Sequence, residues 1–230
     1  LHRTDFRYYR NPENVGMLGN LSITAHHASG QYIWMLGDDD LLKPDSIERV
    51  LRVIQAHPGI ALVYLNYSYT RQDDAKGVTK LDRFLNQSIP IVTPGQDIIG
   101  PVHCISAKSE NFFTAIYCLV FRRDHALRAY SQNTDGRPFS NMLTCIPTTY
   151  YVLNFMMNEP AYWVGEPQLV VNMNVSWMKY APLWILERIP EVYDLAERMG
   201  ADPLAVDHWR IHNLPSVLHF FKEIFENDQE

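Results

Sequence analysis

The sequence predicts an α/β fold: a mostly parallel sheet flanked by helices, followed by a helical C-terminal tail. Three observations predict it. Tyr32–Leu36 is almost continuously apolar and includes β-branched and aromatic residues, so it reads as a strand buried on both faces. Strand-like and helix-like segments then alternate between Phe6 and Tyr67 in the order β-α-β-α-β, which implies parallel strands joined by right-handed crossovers. From Pro182 to the end the apolar period is helical.

The elements follow in chain order. Phe6–Tyr9 is a short aromatic strand, closed by the turn Asn11-Pro12-Glu13-Asn14. Asn14 caps a helix over Val15–Ser29, whose apolar positions are Met17, Leu18, Leu21, Ala25 and Ala28, with Gly30 as the C′ residue. After the strand Tyr32–Leu36, Pro44–Ala56 is the clearest helix. Its stripe is Ile47, Val50, Leu51 and Ile54, and Glu48 and Arg52 form an i,i+4 pair. His57-Pro58-Gly59 stops that helix, and Ile60–Tyr67 is the next strand.

Beyond the polar loop Arg71–Lys80, Leu81–Ser109 is irregular, as lids and substrate loops often are. Ile116–Phe121 reads as a strand ending at Arg122-Arg123. A paired arginine can hold a phosphate, and a solvated surface pair is an equal alternative. A helix over Thr148–Asn158 and short strands at Tyr162–Val164 and Gln168–Met173 precede the helical segments Leu183–Met199 and Pro203 to about Glu226. Val217–Phe225 is amphipathic. Packing against the domain is the main reading, and contact with a partner or a membrane surface the minor one.

The 230 residues suit one α/β domain over 1–177 and a helical extension over 178–230. A composition 47% hydrophobic and 20% charged is ordinary for a globular chain. A net charge of −6 argues against nucleic acid as a partner. Cys104, Cys118 and Cys145 have no zinc-like spacing and read as reduced core residues of a cytoplasmic protein. Asn-x-Ser sequons begin at Asn20, Asn66, Asn86 and Asn174; with no leader-like segment in the chain they read as coincidence. No apolar run is long enough to span a bilayer.

The chemistry concentrates at Asp38-Asp39-Asp40. Three adjacent carboxylates repel one another, and protonation, solvent or a cation must relieve them. At the carboxyl end of a strand such a cluster lies where open α/β sheets bind ligands, and its oxygens suit Mg2+ or Mn2+ shared with phosphate. The alternative is that they cap the helix that follows, although capping needs one aspartate rather than three.

With that motif in place the chain resembles glycosyltransferase family 2, which has the GT-A fold and includes sugar transferases of the abequosyltransferase type. The residues that carry the resemblance are Asn11-Pro12-Glu13-Asn14-Val15-Gly16, Asn20, Ala28–Ile33 and Leu36–Asp40, within about Phe6–Asn66; a weaker match runs over Ile116–Ser176. The resemblance implies a GT-A-like sheet and an inverting, metal-dependent transfer of a sugar from a nucleotide-diphosphate donor to an acceptor hydroxyl. The acceptor would be a glycan or a lipid-linked chain for the cell surface, met at the inner membrane face. It places metal contacts on Asp38, Asp39 and Asp40, with Mn2+ or Mg2+ as cofactor. It places Asn11, Asn14 and Gly16 near the donor, where a plain structural turn would use the same residues.

The sequence departs from the family pattern in several places. Gly37 stands where many members carry another Asp. The nucleotide-binding portion expected before Phe6 is not in the chain, so an N-terminally incomplete domain is expected. Where the family keeps a Glu-Asp pair for its base, the chain reads Asn141–Pro147 without a carboxylate. An inverting transfer still needs a base, and Glu110, Asp135 and His103 are the candidates. Asn174 occupies the place of a late metal-binding His, and Trp177 could stack on a sugar or sit in the core. Two other functions stay open: a catalytically degenerate domain that binds a sugar nucleotide or a partner, and a sugar nucleotidyltransferase.

Overall fold

The computed structural model describes residues 7–70, 88–134, 137, 139–172 and 180–227. In chain order the elements are α1 (Gly16–His27), β1 (Tyr32–Trp34), β2 (Leu41–Leu42), α2 (Ser46–Ala56), β3 (Leu62–Leu65), β4 (Ser68–Thr70), β5 (Ile89–Pro90), β6 (Ile98–Pro101), α3 (Val102–Ile105), β7 (Leu119–Arg122), α4 (Arg123–Tyr130), α5 (Met142–Cys145), α6 (Pro147–Phe155), β8 (Pro160–Val164), β9 (Leu169–Asn172), α7 (Ala181–Leu183), α8 (Ile189–Arg198) and α9 (Pro203–Asn227). A π-helical turn, Trp184–Arg188, joins α7 to α8.

The fold is built on β3, whose four residues Leu-Val-Tyr-Leu are all buried. Apolar side chains on both faces of a strand require a layer on each side, and each one buried contributes about 1.5–3 kcal/mol. The main sheet runs β1-β7-β3-β8-β6 and the smaller one β2-β9-β4-β5. Two strands pass from one sheet into the other. β3 leads into β4 through Asn66 and Tyr67, and β8 into β9 through Gly165–Gln168; both resulting pairs are parallel.

Both sheets are mixed rather than mostly parallel. β7 lies between β1 and β3 and runs against both, and β6 and β8 are antiparallel. The alternation β-α-β gave β1 and β3 the same direction correctly, but a later segment of chain separates them. β1 is therefore an edge strand among the described residues. Only Ile33 is buried within it; Tyr32 and Trp34 are half-buried and Leu36 is exposed. Of the expected first strand, Arg7–Tyr9 is irregular and exposed, and the Tyr9 ring stacks on His27 at the end of α1.

The stripe expected on α2 is rotated. Ser46, Val50 and Val53 are buried, whereas Ile47 and Leu51 are 54% and 45% exposed. The reason is the anchor at the helix start, where the Ser46 hydroxyl donates to the Gln168 carbonyl beside β9. The helix also begins after Pro44, because Asp45 takes φ 62° at the N-cap. Asn66, inside a sequon, is fully buried. Its amide donates to the carbonyls of Val92 at 2.9 Å and Gly165 at 2.8 Å, pinning the seam between the sheets. Cys118 and Cys145 are buried as read, but Cys104 is exposed.

The C-terminal helices pack unevenly. α8 buries Val192, Tyr193 and Ala196. α9 docks through Val206 and Trp209, whose indole N–H donates to the Ala107 carbonyl at 2.7 Å. Past Arg210 its large apolar side chains are mostly exposed, so the expected packing of Val217–Phe225 against the domain does not hold. No helix among the described residues is long and apolar enough to cross a membrane.

Candidate functional site

The aspartates sit in the loop that carries the chain from β1 in one sheet to β2 in the other. β2 pairs with β9, Leu41 opposite Val170, so the carboxylates lie beside the end of β9. Asp38 and Asp39 are exposed and Asp40 is half-buried. The Asp40 carboxylate accepts the Gly37 N–H at 3.2 Å and the backbone N–H of Asn172. None of the three caps α2, since β2 and a left-handed Asp45 intervene. Burial, followed by the charges of Asp39 and Asp38, pushes the Asp40 carboxyl up to about 6 despite those two bonds.

Gly37 is where the carboxylates meet. A Cβ added there would stand 2.8 Å from Asp39 Oδ1 and 3.0 Å from Asp40 Oδ2. Two like-charged oxygens thus converge over one small residue. A side chain at this position would displace them. Among the described residues no three His, Cys, Asp or Glu side chains form a metal site. One or two carboxylates, completed by phosphate and water, is nevertheless the usual set for Mg2+ and related hard ions, and Asp39 with Asp40 fits it.

Behind the loop lies a tyrosine cluster that the sequence did not single out. The Trp34 indole donates to the Tyr117 carbonyl at 2.7 Å, tying β1 to the turn before β7. Tyr117 lies within electrostatic reach of Asp40, and its ring meets Tyr67 edge-on at 5.1 Å. Asn111 joins the group, donating to the Tyr67 hydroxyl at 3.1 Å and accepting from Tyr64 at 2.8 Å. Burial raises all three phenols, so they stay neutral donors and acceptors. These tyrosines sit in apolar runs, where they read as strand and core.

Asn111 belongs to a bent loop. Phe112 and Phe113 are fully buried and hold φ of 41° and 72°, a strained geometry for aromatic residues. The neighbouring Glu110 is at this same end of the sheet. Burial raises its carboxyl above the ordinary value while His212 of α9, 3.4 Å away, opposes the rise.

Other candidates lie elsewhere. His103 follows β6, whose last residue pairs with the first of β8, and it is held to the Met157 carbonyl at 2.9 Å. That is the opposite end of the main sheet. Arg122 is there too, opposite Tyr32 at the start of β1, clamping Asp124 at 2.7 and 2.9 Å. It lines a cavity of about 430 Å3 with His125, Arg128, Tyr151, Phe155 and Glu159. Neither His103 nor Arg122 shares a site with the aspartates. Asn11 donates to Asn20 at 3.1 Å and Asn14 accepts the N–H of Gly16, which has φ 72°. These bonds are those of a structural turn. The Asn141 segment is a capping box in which the Asn141 side chain accepts the Thr144 N–H and Thr144 returns the bond. Asp135, Asn174 and Trp177 lie outside the described residues, as does most of the expected domain boundary near 177.

Residues 2–113, just under half of the chain, match the model of glycosyl transferase family 2. A protein of Haemophilus influenzae (strain ATCC 51907 / DSM 11121 / KW20 / Rd), described as an uncharacterized glycosyltransferase, is 34% identical over 55 residues. That stretch is 24% of this chain and 19% of the relative, so the chain spans about a fifth of the protein it matches.

Proposed function

We propose that the chain is the catalytic part of a metal-dependent, inverting glycosyltransferase. It transfers a sugar from a nucleotide-diphosphate donor to a hydroxyl of a glycan or lipid-linked acceptor, in cell-surface polysaccharide synthesis at the inner membrane face. One observation carries the reading: Asp39 and Asp40 are gathered over Gly37 against their own repulsion. The family match over 2–113 supports it.

In this reading Asp39 and Asp40 would hold Mn2+ or Mg2+, with Asp38 next to them in the same loop. The cation supplies Lewis acidity, offsetting charge on the leaving nucleoside diphosphate. Trp34 and Tyr117 fix the loop to the sheet, so the carboxylates are held before the donor arrives. The acceptor hydroxyl attacks the anomeric carbon from the face away from the diphosphate, and its proton goes to a carboxylate. Glu110 is the one base candidate at this end of the sheet among the described residues, and its raised pKa suits a proton acceptor.

Calorimetric titration with Mn2+ and a panel of nucleoside diphosphates tests the donor site. Binding that needs both components supports the reading; binding indifferent to the metal removes it. Glu110→Gln should cost about a hundredfold or more in turnover with donor binding intact. Metal-dependent binding without turnover in the unaltered chain would favour the degenerate, binding-only alternative. The capping box at Asn141–Thr144, standing where relatives keep their acids, is the observation in its favour.

A further inference from the structure

Glu110, inside the region matched to the family, meets a side chain from well outside it. His212 of α9 sets its Nε2 3.4 Å from a Glu110 carboxylate oxygen, the two side chains being 58% and 32% exposed. The contact is braced from both helices of the C-terminal part. On α9, the Trp209 ring stands edge-on to the His212 ring at 5.4 Å, and its indole N–H donates to the Ala107 carbonyl at 2.7 Å. On α8, the Tyr193 hydroxyl donates to the Glu110 carbonyl at 3.2 Å and accepts from the Asn213 amide at 3.5 Å. The Phe112 ring meets the Tyr193 ring edge-on at 5.0 Å. One helix thus holds the backbone of Glu110 and the other faces its carboxylate. Glu110 is also next to Asn111, whose bonds to Tyr64 and Tyr67 lead to the cluster behind the aspartates.

We infer that His212 is a positioning residue for Glu110, through which α9 completes the base end of the site. The inference rests on the reading of Glu110 as the proton acceptor.

A carboxylate that serves as base must be ionised before the acceptor hydroxyl arrives, and it must be aimed. Burial opposes the first of these. The titratable groups that face Glu110 are His212, with His208 on the preceding turn of α9, Tyr193 on α8 and Tyr67 after β3. Burial raises both phenols, so they bring no charge. Arg210, close by on α9, is engaged by Asp194, Glu197 and Asp207. His212 is the group whose charge acts against the burial of Glu110. An imidazolium at this distance favours the carboxylate form, and a neutral imidazole protonated on Nε2 still offers an N–H that holds the oxygen in place.

The test compares His212→Gln, which keeps a polar side chain without the charge, with His212→Lys, which makes the charge permanent. The position is more than half exposed, so both variants should fold, with circular dichroism as the check. The Glu110 carboxyl is titrated by heteronuclear NMR of the glutamate-labelled 230-residue chain, its resonance identified by its loss in Glu110→Gln. His212→Gln should raise the midpoint by about half a unit or more, and His212→Lys should return it to the parent value or below. The acid limb of turnover should follow in the same directions, with KM changed less than about twofold. Turnover is read as nucleoside-diphosphate release from UDP-glucose, GDP-mannose and dTDP-rhamnose with Mn2+. The titration needs no donor, so it decides the pair whether or not one of these is a substrate. A smaller shift in His212→Gln overturns the inference, as does a midpoint that His212→Lys leaves raised. A lowered melting temperature without a moved midpoint also overturns it, leaving a structural tie between helix and loop. Failure of the base reading looks different: Glu110→Gln then keeps its turnover while the midpoint still moves in the His212 variants, which removes the role of His212 in transfer.

Discussion

One end of the main sheet crowds unpaired carboxylates and the other pairs arginines with an aspartate, and the two respond oppositely to acid. At one end Asp38, Asp39 and Asp40 crowd a glycine, and burial lifts Asp40 to about 6. At the other, Arg122 and Arg128 hold Asp124 beside a buried His125. Its imidazole is pushed below the ordinary value by burial, and it bonds Tyr151 at 3.1 Å. Both ends contain a titratable group held away from water. The first is a carboxylate disfavoured when ionised, the second an imidazole disfavoured when protonated. Strand direction decides which residues fall where. β7 and β6 run against β1 and β3, and so carry Arg122 and His103 away from the aspartates.

The sharpest way to break this division is to remove a charge from each end. Under the proposed function, Asp39→Asn should lower sugar transfer by about two to three orders of magnitude, the scale for losing a group that acts on transition-state charge. Its melting temperature in chelator should stay level or rise, because a repulsion is relieved. Arg122→Ala should change turnover less than about threefold. A fall comparable with that of Asp39→Asn would place both ends in one site.

Stability against pH sharpens the contrast further. The folded Asp40 carboxyl binds its proton more tightly than an unfolded one, so its contribution is present at low pH and is lost as pH rises from about 4 to 6. Metal-free Asp40→Asn should therefore be more stable than the parent at pH 7, by about 1–2 kcal/mol once solvent screening is allowed for, and level with it near pH 4. His125 carries the other sign. Its folded pKa is lowered, so stability is full above about pH 6.5 and declines as pH falls below it. His125→Gln should flatten that decline in urea titrations, a smaller effect than that at Asp40. A parent profile that rises steadily with pH between 4 and 7 would count against the crowding at Asp40.

What the sequence revealed is what short-range physics controls. β3, β8, β9 and the helices α1, α2 and α8 lie within a few residues of where periodicity puts them, while β1 stops at Trp34 and leaves Asp38–Asp40 in the loop beyond it. The losses were long-range. Whether Tyr32–Trp34 is central depends on β7, nearly ninety residues later in the chain, and a run of apolar residues cannot report its neighbour. The α2 stripe was misplaced because a hydroxyl bond from Ser46 to the chain before β9 outweighs two exposed side chains. The Tyr64–Tyr67–Tyr117 cluster is not legible in the sequence, because a tyrosine in a strand looks the same whether its hydroxyl serves packing or a site. The chemistry of Arg122 and His103 says nothing of which end of a sheet they reach.

Gly37 offers a control on the site that needs no change of charge. Because two carboxylate oxygens already stand within 3.0 Å of the place a Cβ would take, residue volume there acts as a wedge. A series from Gly37→Ala to Gly37→Ser would open the gap between Asp39 and Asp40 in small steps while leaving every acid in place. Under the proposed metal role the loop then becomes an adjustable jaw, in which steric size would set the preferred ionic radius and a screen of divalent ions would read the setting.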